Sequence, residues 1–313
     1  MAEIQHYVPQ FYLRYFALEN DANAVWAYQR HIEPFKTNVK NIAGEKGFYR
    51  FIDSRTGKES DELEETYSKL EHQAQLIISK LNTPGLLELS REDRGNLAYF
   101  VTSLHVRGLS HRQMTANSMG EMQKVTSQFR ATHKESFLED MRKAGVERSE
   151  EEMEALRQFV LDGEYEVKFN PRDSFFLKAA MQMELDIYPV VVAKDIYLVE
   201  ASQGYDFITS DNPVSVIPLK PPHPFYGGGG IGDGMVALPV SPRRALLLVN
   251  PNSITLGSVM NPDNVNIVNG STYFHAYRFV FSNVKSIQTQ KKFNSTKAGD
   301  GEKVVVSSPF SRK

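Results

Sequence analysis

The residues best suited to chemistry stand close to the N-terminus. His6, Gln10 and Arg14 recur at intervals of four. Pro9 suits the first turn of a helix, where its missing N–H costs no hydrogen bond, and we predict a short helix over residues 9–17. Gln10 and Arg14 then share a helix face. An imidazole, an amide and a guanidinium that meet there would suit an anionic group, with His6 as acid, base or metal ligand.

The same residues also fit a structural role. In that interpretation His6 caps backbone groups and Arg14 pairs with a structural carboxylate, so that the polar side chains form a buried latch for the N-terminus. The aromatic side chains around them are predicted to belong to the core: Phe11, Tyr12, Tyr15 and Phe16. The sequence leaves both interpretations, site and latch, open.

A second polar group follows a predicted strand at 206–209. It reads Thr-Ser-Asp-Asn-Pro and contains Asp211 and Asn212. A carboxylate at the end of a strand is held rigidly and is well placed for a metal or a substrate. Asp211 and Asn212 are therefore candidate catalytic residues, and Asp211 is also a candidate metal ligand. The alternative is an Asx turn, because Asp and Asn before Pro are common turn formers.

Acidic residues on a predicted helix supply a third group. Glu64 and Glu71 lie seven residues apart, nearly on the same helix face. If Glu71 faces inward, its burial requires a partner, and Arg14 or Arg107 would serve. Glu71 is thus a candidate metal ligand, and the two arginines are candidate binding residues. The alternative is a solvated acidic face.

Two further features favour ordinary structural roles. The run Gly227–Gly230 lacks the Lys-Ser/Thr of a phosphate loop, so we predict a connection between strands. His105 and His111 are six residues apart, which is poor spacing for two ligands on one helix face, and we predict that both are surface histidines.

Helices and strands are segregated along the chain rather than alternating. Helical patterns fill residues from about 60 to 188, and strand-like runs, beginning with 190–193, fill about 189–260. Asn261-Pro262 then begins a last helical segment that reaches Phe281. We therefore predict one α+β domain over 1–284, with a helical middle packed on a mostly antiparallel sheet, and a loose polar tail over 285–313.

The helical stretch 111–143 is weakly apolar. It is either a solvated outer helix or an arm that meets a protein partner or a second copy.

Composition excludes several classes of protein. The chain has 313 residues, a net charge of −2 and no cysteine. Disulfide scaffolds, cysteine-ligated zinc and a catalytic thiol are excluded. No global basic field indicates nucleic-acid binding, although a local basic groove would escape this test. No signal peptide and no membrane-spanning apolar run is evident, which favours a cytoplasmic protein.

Two motifs together resemble a known family. The first is His-Tyr-Val-Pro-Gln-Phe-Tyr-Leu-Arg-Tyr-Phe over 6–16, and the second is Thr-Ser-Asp-Asn-Pro-Val over 209–214, followed by Leu-Pro-Val-Ser-Pro over 238–242. They resemble the bacterial and phage family catalogued as domain of unknown function 4238. The resemblance implies a shared fold over about 5–283, and it supplies no activity.

The sequence leaves two functions open. The mixed inventory of His, Asp, Glu and Arg favours a metal-assisted phosphoester hydrolase or nuclease, acting on nucleic acid or a nucleotide with Mg²⁺ or Mn²⁺; the setting of the resembled family suggests phage–host conflict by analogy alone. The alternative is a non-catalytic binding protein whose polar motifs are a latch. Either version predicts that His6, Gln10 and Asp211 share one polar cluster, beside Glu71 or Arg107.

Overall fold

The fold has a helical middle flanked by strands on both sides. The computed structural model describes residues 4–52, 58–60, 62–83, 89–170, 174–221, 230–254 and 256–296. The strands are β1 Ile4–His6, β2 Ala24–Gln29, β3 Ile32–Asn38, β4 Gly44–Lys46, β5 Phe51–Ile52, β6 Glu59–Ser60, β7 Asp195–Ala201, β8 Thr209–Ser210, β9 Ser215–Ile217, β10 Met235–Ser241, β11 Arg244–Val249, β12 Val259–Met260 and β13 Phe279–Ser282. The helices are α1 Gln10–Arg14, α2 Glu62–Asn82, α3 Arg91–Val106, α4 Leu109–Thr132, α5 Lys134–Lys143, α6 Glu150–Asp162, α7 Ser174–Val192, α8 Pro262–His275 and α9 Ile287–Ser295. This arrangement confirms the α+β prediction.

Two larger sheets carry most of the strands. One has the order β12-β7-β11-β10-β9 and the other the order β3-β2-β13-β8. Neighbouring strands are antiparallel except for β12 and β7. The second sheet joins β2 and β3, near the N-terminus, to β13, near the C-terminus, and to β8, which begins the Thr-Ser-Asp-Asn-Pro-Val motif. The start of the second motif is therefore joined in one sheet to strands from both ends of the chain.

Local signals in the sequence explain where several helices begin and end. Ser90 and Asp93 form a reciprocal capping box at the start of α3, and Ser149 and Glu152 form another at the start of α6. Gly163 ends α6 with φ of 69°, a left-handed conformation that glycine adopts without strain. These caps satisfy backbone groups that the helix termini would otherwise leave without a partner.

The opening segment is part of the main core. Tyr12, Leu13 and Phe16 are fully buried beside residues of α2, α3 and β10. The Tyr12 hydroxyl donates to the Pro239 carbonyl at 2.6 Å and lies 2.7 Å from Thr209 Oγ1. The buried position predicted for this segment is confirmed, and Tyr12 joins the opening motif to β10 and β8.

Three sequence predictions are corrected. Residues 190–192 continue α7 rather than starting a strand, because a short apolar run has no periodicity to separate the two structures. Phe279–Ser282 forms β13 between β2 and β8 rather than a helix. Residues 287–295 of the predicted loose tail form α9, whose Phe293 is fully buried; residues beyond 296 lie outside the described part.

None of the helices that the structure describes is long and apolar enough to cross a lipid bilayer.

Candidate functional site

A polar cleft of about 400 Å³ lies between the N-terminal segment and α2. It brings together four residues that the sequence singled out: His6, Gln10, Glu64 and Glu71. The full lining is Ile4, His6, Gln10, Phe11, Tyr49, Glu64, Tyr67, Ser68, Glu71, His72 and Gln75. Because α2 contributes side chains at helical spacing and the opening motif faces them, the cleft is built from two distant parts of the chain.

His6 is held at the cleft by two contacts. Its Nε2 donates to the Lys40 carbonyl at 3.1 Å, which leaves Nδ1 unprotonated and 3.4 Å from Gln10 Nε2. Burial lowers the pKa of His6, and the hydrogen bond to Lys40 opposes that shift. Burial therefore favours the neutral imidazole of His6, whose unprotonated Nδ1 faces Gln10 Nε2.

Gly44 leaves the space that the His6 ring occupies. The two residues are paired across β1 and β4. A Cβ added at Gly44 would lie 2.9 Å from the Cδ2 of His6, closer than side-chain atoms normally approach. The absence of a side chain at 44 thus permits the observed orientation of the imidazole.

Glu71 and Arg107 form an ion pair at the edge of the cleft. The distance from Arg107 Nη2 to Glu71 Oε1 is 2.9 Å, and Arg107 Nε donates to the Tyr7 carbonyl at 3.2 Å. Arg107 is fully buried and its Cζ lies 5.0 Å from the centre of the Tyr67 ring. Burial raises the pKa of Glu71, and Arg107 opposes the shift. Arg107 thus connects the opening segment to α2 rather than facing a ligand in the cleft.

Glu184 lies behind the cleft wall. Its Oε2 accepts a hydrogen bond from the Tyr67 hydroxyl at 3.1 Å, and burial raises the pKa of its carboxyl group. Tyr67 lines the cleft, so Glu184 orients a wall residue from inside the helical layer. Nothing in the sequence indicated this role, because Glu184 is one of two acids in the largely apolar helix α7 and no pattern distinguishes it from Asp186.

Asp211 does not belong to the cleft lining and accepts hydrogen bonds from the backbone. Its two carboxylate oxygens accept the backbone N–H groups of Tyr277, Arg278 and Phe279 at 2.8–3.1 Å. The side chain is buried, and burial raises the pKa of Asp211 to about 6 while these hydrogen bonds oppose the shift. Asp211 does not line the cleft. The turn between α8 and β13 leaves three N–H groups that require an acceptor, and this need accounts for the position of Asp211.

Asn212 and Arg14 are also engaged in the fold. Asn212 Nδ2 donates to the His275 carbonyl at 2.9 Å, and its backbone N–H donates to Ser210 Oγ at 3.1 Å. Arg14 Nε donates to Asn23 Oδ1 at 3.0 Å. The sequence predicted that Arg14 would pair with a carboxylate, but its partner is the amide of Asn23. Neither Asn212 nor Arg14 lines the cleft.

The predicted metal ligands do not converge. Within the described ranges, no group of three or more histidine, aspartate or glutamate side chains is arranged to hold a metal ion. Of the side chains predicted to share one polar cluster, Glu71 and His6 line the cleft and Asp211 does not. The cleft is also lined by His72 and Gln75, which we did not name as candidates. Both lie on α2 near the face of Glu64 and Glu71, and this helical spacing is visible in the sequence.

The prediction of surface histidines at 105 and 111 is wrong. His111 is buried, and the Nδ1 of His105 is shielded from solvent. Their ring centres are 6.2 Å apart. Burial, together with the smaller effects of His111 and His275, lowers the pKa of His105 to about 3. Helix α4 begins immediately after α3, so both histidines face the interior at this corner. The predicted glycine-rich connection at Gly227–Gly230 includes residues outside the described part.

The chain belongs to the family described as protein of unknown function (DUF4238), whose model matches residues 4–286. The match confirms the resemblance to this family. No curated protein matches the chain, and no solved structure does.

Proposed function

We propose that the protein binds a small polar substrate in the cleft between the opening motif and α2, and acts on it by general acid–base catalysis. The observation that carries the proposal is that His6 and Glu71 line one solvent-open cleft and that burial shifts the pKa of each. Titratable groups with displaced pKa values are concentrated in functional clefts.

The two groups suit complementary roles. His6 offers Nδ1 as a proton acceptor, since its Nε2 is committed to the Lys40 carbonyl. Glu71, with a raised pKa, takes up a proton more readily than an exposed glutamate. Gln10 lies next to Nδ1 and donates an amide N–H that a substrate oxygen would accept in its place.

The specific form of the proposal is a metal-assisted phosphoester hydrolase or nuclease. Mg²⁺ is commonly held by one or two carboxylates together with substrate phosphate oxygens, rather than by a complete set of protein ligands. The cleft contains two carboxylates, Glu64 and Glu71, on the same face of α2. The phosphates of a nucleotide or a nucleic acid would complete the coordination.

Hydrolysis of a phosphodiester reporter and of short oligonucleotides, with and without Mn²⁺ or Mg²⁺, tests this form. We expect metal-dependent turnover that His6→Ala lowers by about 100-fold or more, the usual contribution of a general base. The matched control is His133→Ala, because His133 is exposed at the end of α4, outside the cleft. Turnover that is equal in both variants contradicts a catalytic role for His6, and no turnover with any metal contradicts the phosphoester form.

Metal binding has its own readout. A cation that binds the native protein at about 100 times its dissociation constant raises the free energy of unfolding by about 2.7 kcal/mol. We expect Mn²⁺ to raise the melting temperature of the wild-type protein and to raise that of Glu64→Gln less. An unchanged melting temperature with every divalent cation contradicts the metal-assisted form. Turnover of substrate without added metal then tests metal-free acid–base catalysis.

A second candidate function is non-catalytic binding. It is favoured by the way Asp211, Asn212 and Arg107 are used, since all three side chains bind backbone groups that join distant segments. In this version the cleft holds a ligand without changing it. Ligand binding that survives in His6→Ala, with no turnover in either protein, would favour this candidate.

A further inference from the structure

Strands β2, β3 and β13 and the helix α9 form a basic region on a chain that is slightly acidic overall. Segments 24–40 and 279–296 contain six basic residues and one acidic residue, whereas the whole chain has a net charge of −2. The basic residues are Arg30, Lys36, Lys40, Lys285, Lys291 and Lys292, and the acidic one is Glu33. A local excess of positive charge attracts polyanions even when the net charge of the chain does not reveal it.

Trp26 of β2 is partly exposed and has two lysine side chains over its ring. Lys36 is its direct partner on β3, and Lys285 follows β13, which pairs with β2 on the other side. The Nζ atoms of Lys36 and Lys285 each lie 5.3 Å from an indole ring centre. Among the residues that the structure describes, no carboxylate forms an ion pair with either lysine. We call these three side chains the Trp26 surface.

The Trp26 surface is separate from the main core and from the cleft. Successive side chains of a strand point to opposite faces of the sheet. Val25 and Ala27, the neighbours of Trp26 along β2, are fully buried in the main core, so Trp26 points to the other face. Lys36 and Lys285 are exposed there, and none of the three residues of the Trp26 surface lines the cleft. A ligand on this surface would therefore leave the cleft free.

We propose that the Trp26 surface binds single-stranded nucleic acid, with one base stacked on Trp26 and the flanking phosphates on Lys36 and Lys285. Proteins that bind single strands without reading sequence combine aromatic side chains, on which bases stack, with positive charges along the backbone. Cation–π contacts at exposed positions are weak. A base therefore displaces an ammonium group from the indole ring, and the released lysine contacts a neighbouring phosphate.

The aromatic ring favours a single strand over other polyanions. In a duplex the bases are already stacked on one another, so the protein gains phosphate contacts but no base on Trp26. A run of acidic side chains lacks the planar group that stacks on an indole. Binding to an anionic membrane requires a protruding apolar face, whereas Trp26 is partly buried in the sheet. A single strand uses both the ring and the two lysines.

Trp26 is the only tryptophan of the chain, so tryptophan fluorescence reports on this surface alone. We expect titration with oligo(dT) at low salt to quench the fluorescence, because a base stacks on the indole, and added salt to reverse the quenching. A duplex of the same length should quench little. Absence of binding, binding without quenching, or an equal fluorescence change with the duplex, with polyglutamate or with phosphatidylserine vesicles overturns the proposal.

The double variant Lys36→Gln, Lys285→Gln tests the phosphate contacts. Each phosphate contact of a single strand contributes about 0.7 to the slope of log binding constant against log salt, so this variant should bind more weakly and lose about 1.4 of the slope. The matched control is Lys178→Gln, Lys220→Gln, which removes two exposed lysines of other elements. Equal slopes in the two variants contradict the proposal. The measurement needs neither metal nor turnover, and His6→Ala should bind like the wild-type protein whether or not the cleft is catalytic; loss of binding in His6→Ala would place the strand in the cleft instead.

Discussion

At the scale of single residues, the two family motifs have different roles: the first lines the cleft and the second stabilises the fold. His6 and Gln10 of the opening motif line the cleft, whereas Asp211 of the second motif is enclosed by three backbone N–H groups. All three side chains are polar and could serve a site, and their surroundings decide which of them does. A sequence lists the available acids and bases but does not state which backbone groups will need them.

Replacing Asp211 tests its structural role. Asp211→Ala removes the acceptor for the N–H groups of Tyr277, Arg278 and Phe279, so we expect a loss of ~1–3 kcal/mol in the free energy of unfolding. Urea unfolding measures it. Asp195→Ala, at an exposed aspartate that begins β7, is the control and should have little effect. If Asp211→Ala is as stable as the control, the three hydrogen bonds do not hold this turn.

The buried histidines predict a pH dependence of stability. The pKa of His105 is about 3 in the folded protein against an ordinary value of 6.5. Between these values the unfolded chain binds a proton that the folded chain does not, so stability is complete above pH 6.5 and falls as the pH falls. His105 alone should remove about 2 kcal/mol between pH 6.5 and 5.

Urea unfolding of the wild-type protein and His105→Gln at pH 7 and pH 5 measures this effect. The loss of stability on acidification should be smaller in the variant by about 2 kcal/mol. Carboxyl groups with raised pKa values shift stability in the opposite direction, but they are common to both proteins and cancel in the difference. An equal loss in the two proteins would show that His105 is protonated in the folded state.

At the scale of elements, local signals predicted most helices and failed where tertiary contacts decide. The capping boxes at Ser90 and Ser149 specify their helices by themselves. The segment around Phe281 became a strand because β2 and β8 offer edges on both sides of it. Such a choice depends on partners more than 60 residues away along the chain, which a short window of sequence does not contain.

Helix α9 provides a test at this scale. Phe293 is fully buried, with the Arg30 guanidinium 4.2 Å from its ring centre, whereas Ile287 in the same helix is 70% exposed. We expect Phe293→Ala to cost about 3–5 kcal/mol and Ile287→Ala to cost little. Thermal or urea unfolding separates the two. Equal stabilities would show that α9 is not part of the folded unit.

At the scale of the whole molecule, the cleft depends on contacts between strands of the C-terminal half and the N-terminal segment. Strand β13 pairs with β2, and the Tyr12 hydroxyl contacts β8 and β10, so the opening segment is joined to both larger sheets. Recognition of the two motifs predicted this convergence in outline. That Asp211 would not line the cleft with His6 and Gln10 was not predictable, because its role depends on where the chain turns between α8 and β13.

The most direct test of the His6–Glu71 cleft compares His6→Gln with Asp211→Asn in one turnover assay on phosphodiester substrates, each corrected for the fraction of folded protein. We expect His6→Gln to lose about 100-fold or more of the activity with little change in melting temperature. Asp211→Asn should melt earlier and keep its activity per folded molecule. A His6→Gln protein with full activity, beside an Asp211→Asn protein that is stable and inactive, would contradict the proposed role of His6 and place the chemistry at Asp211.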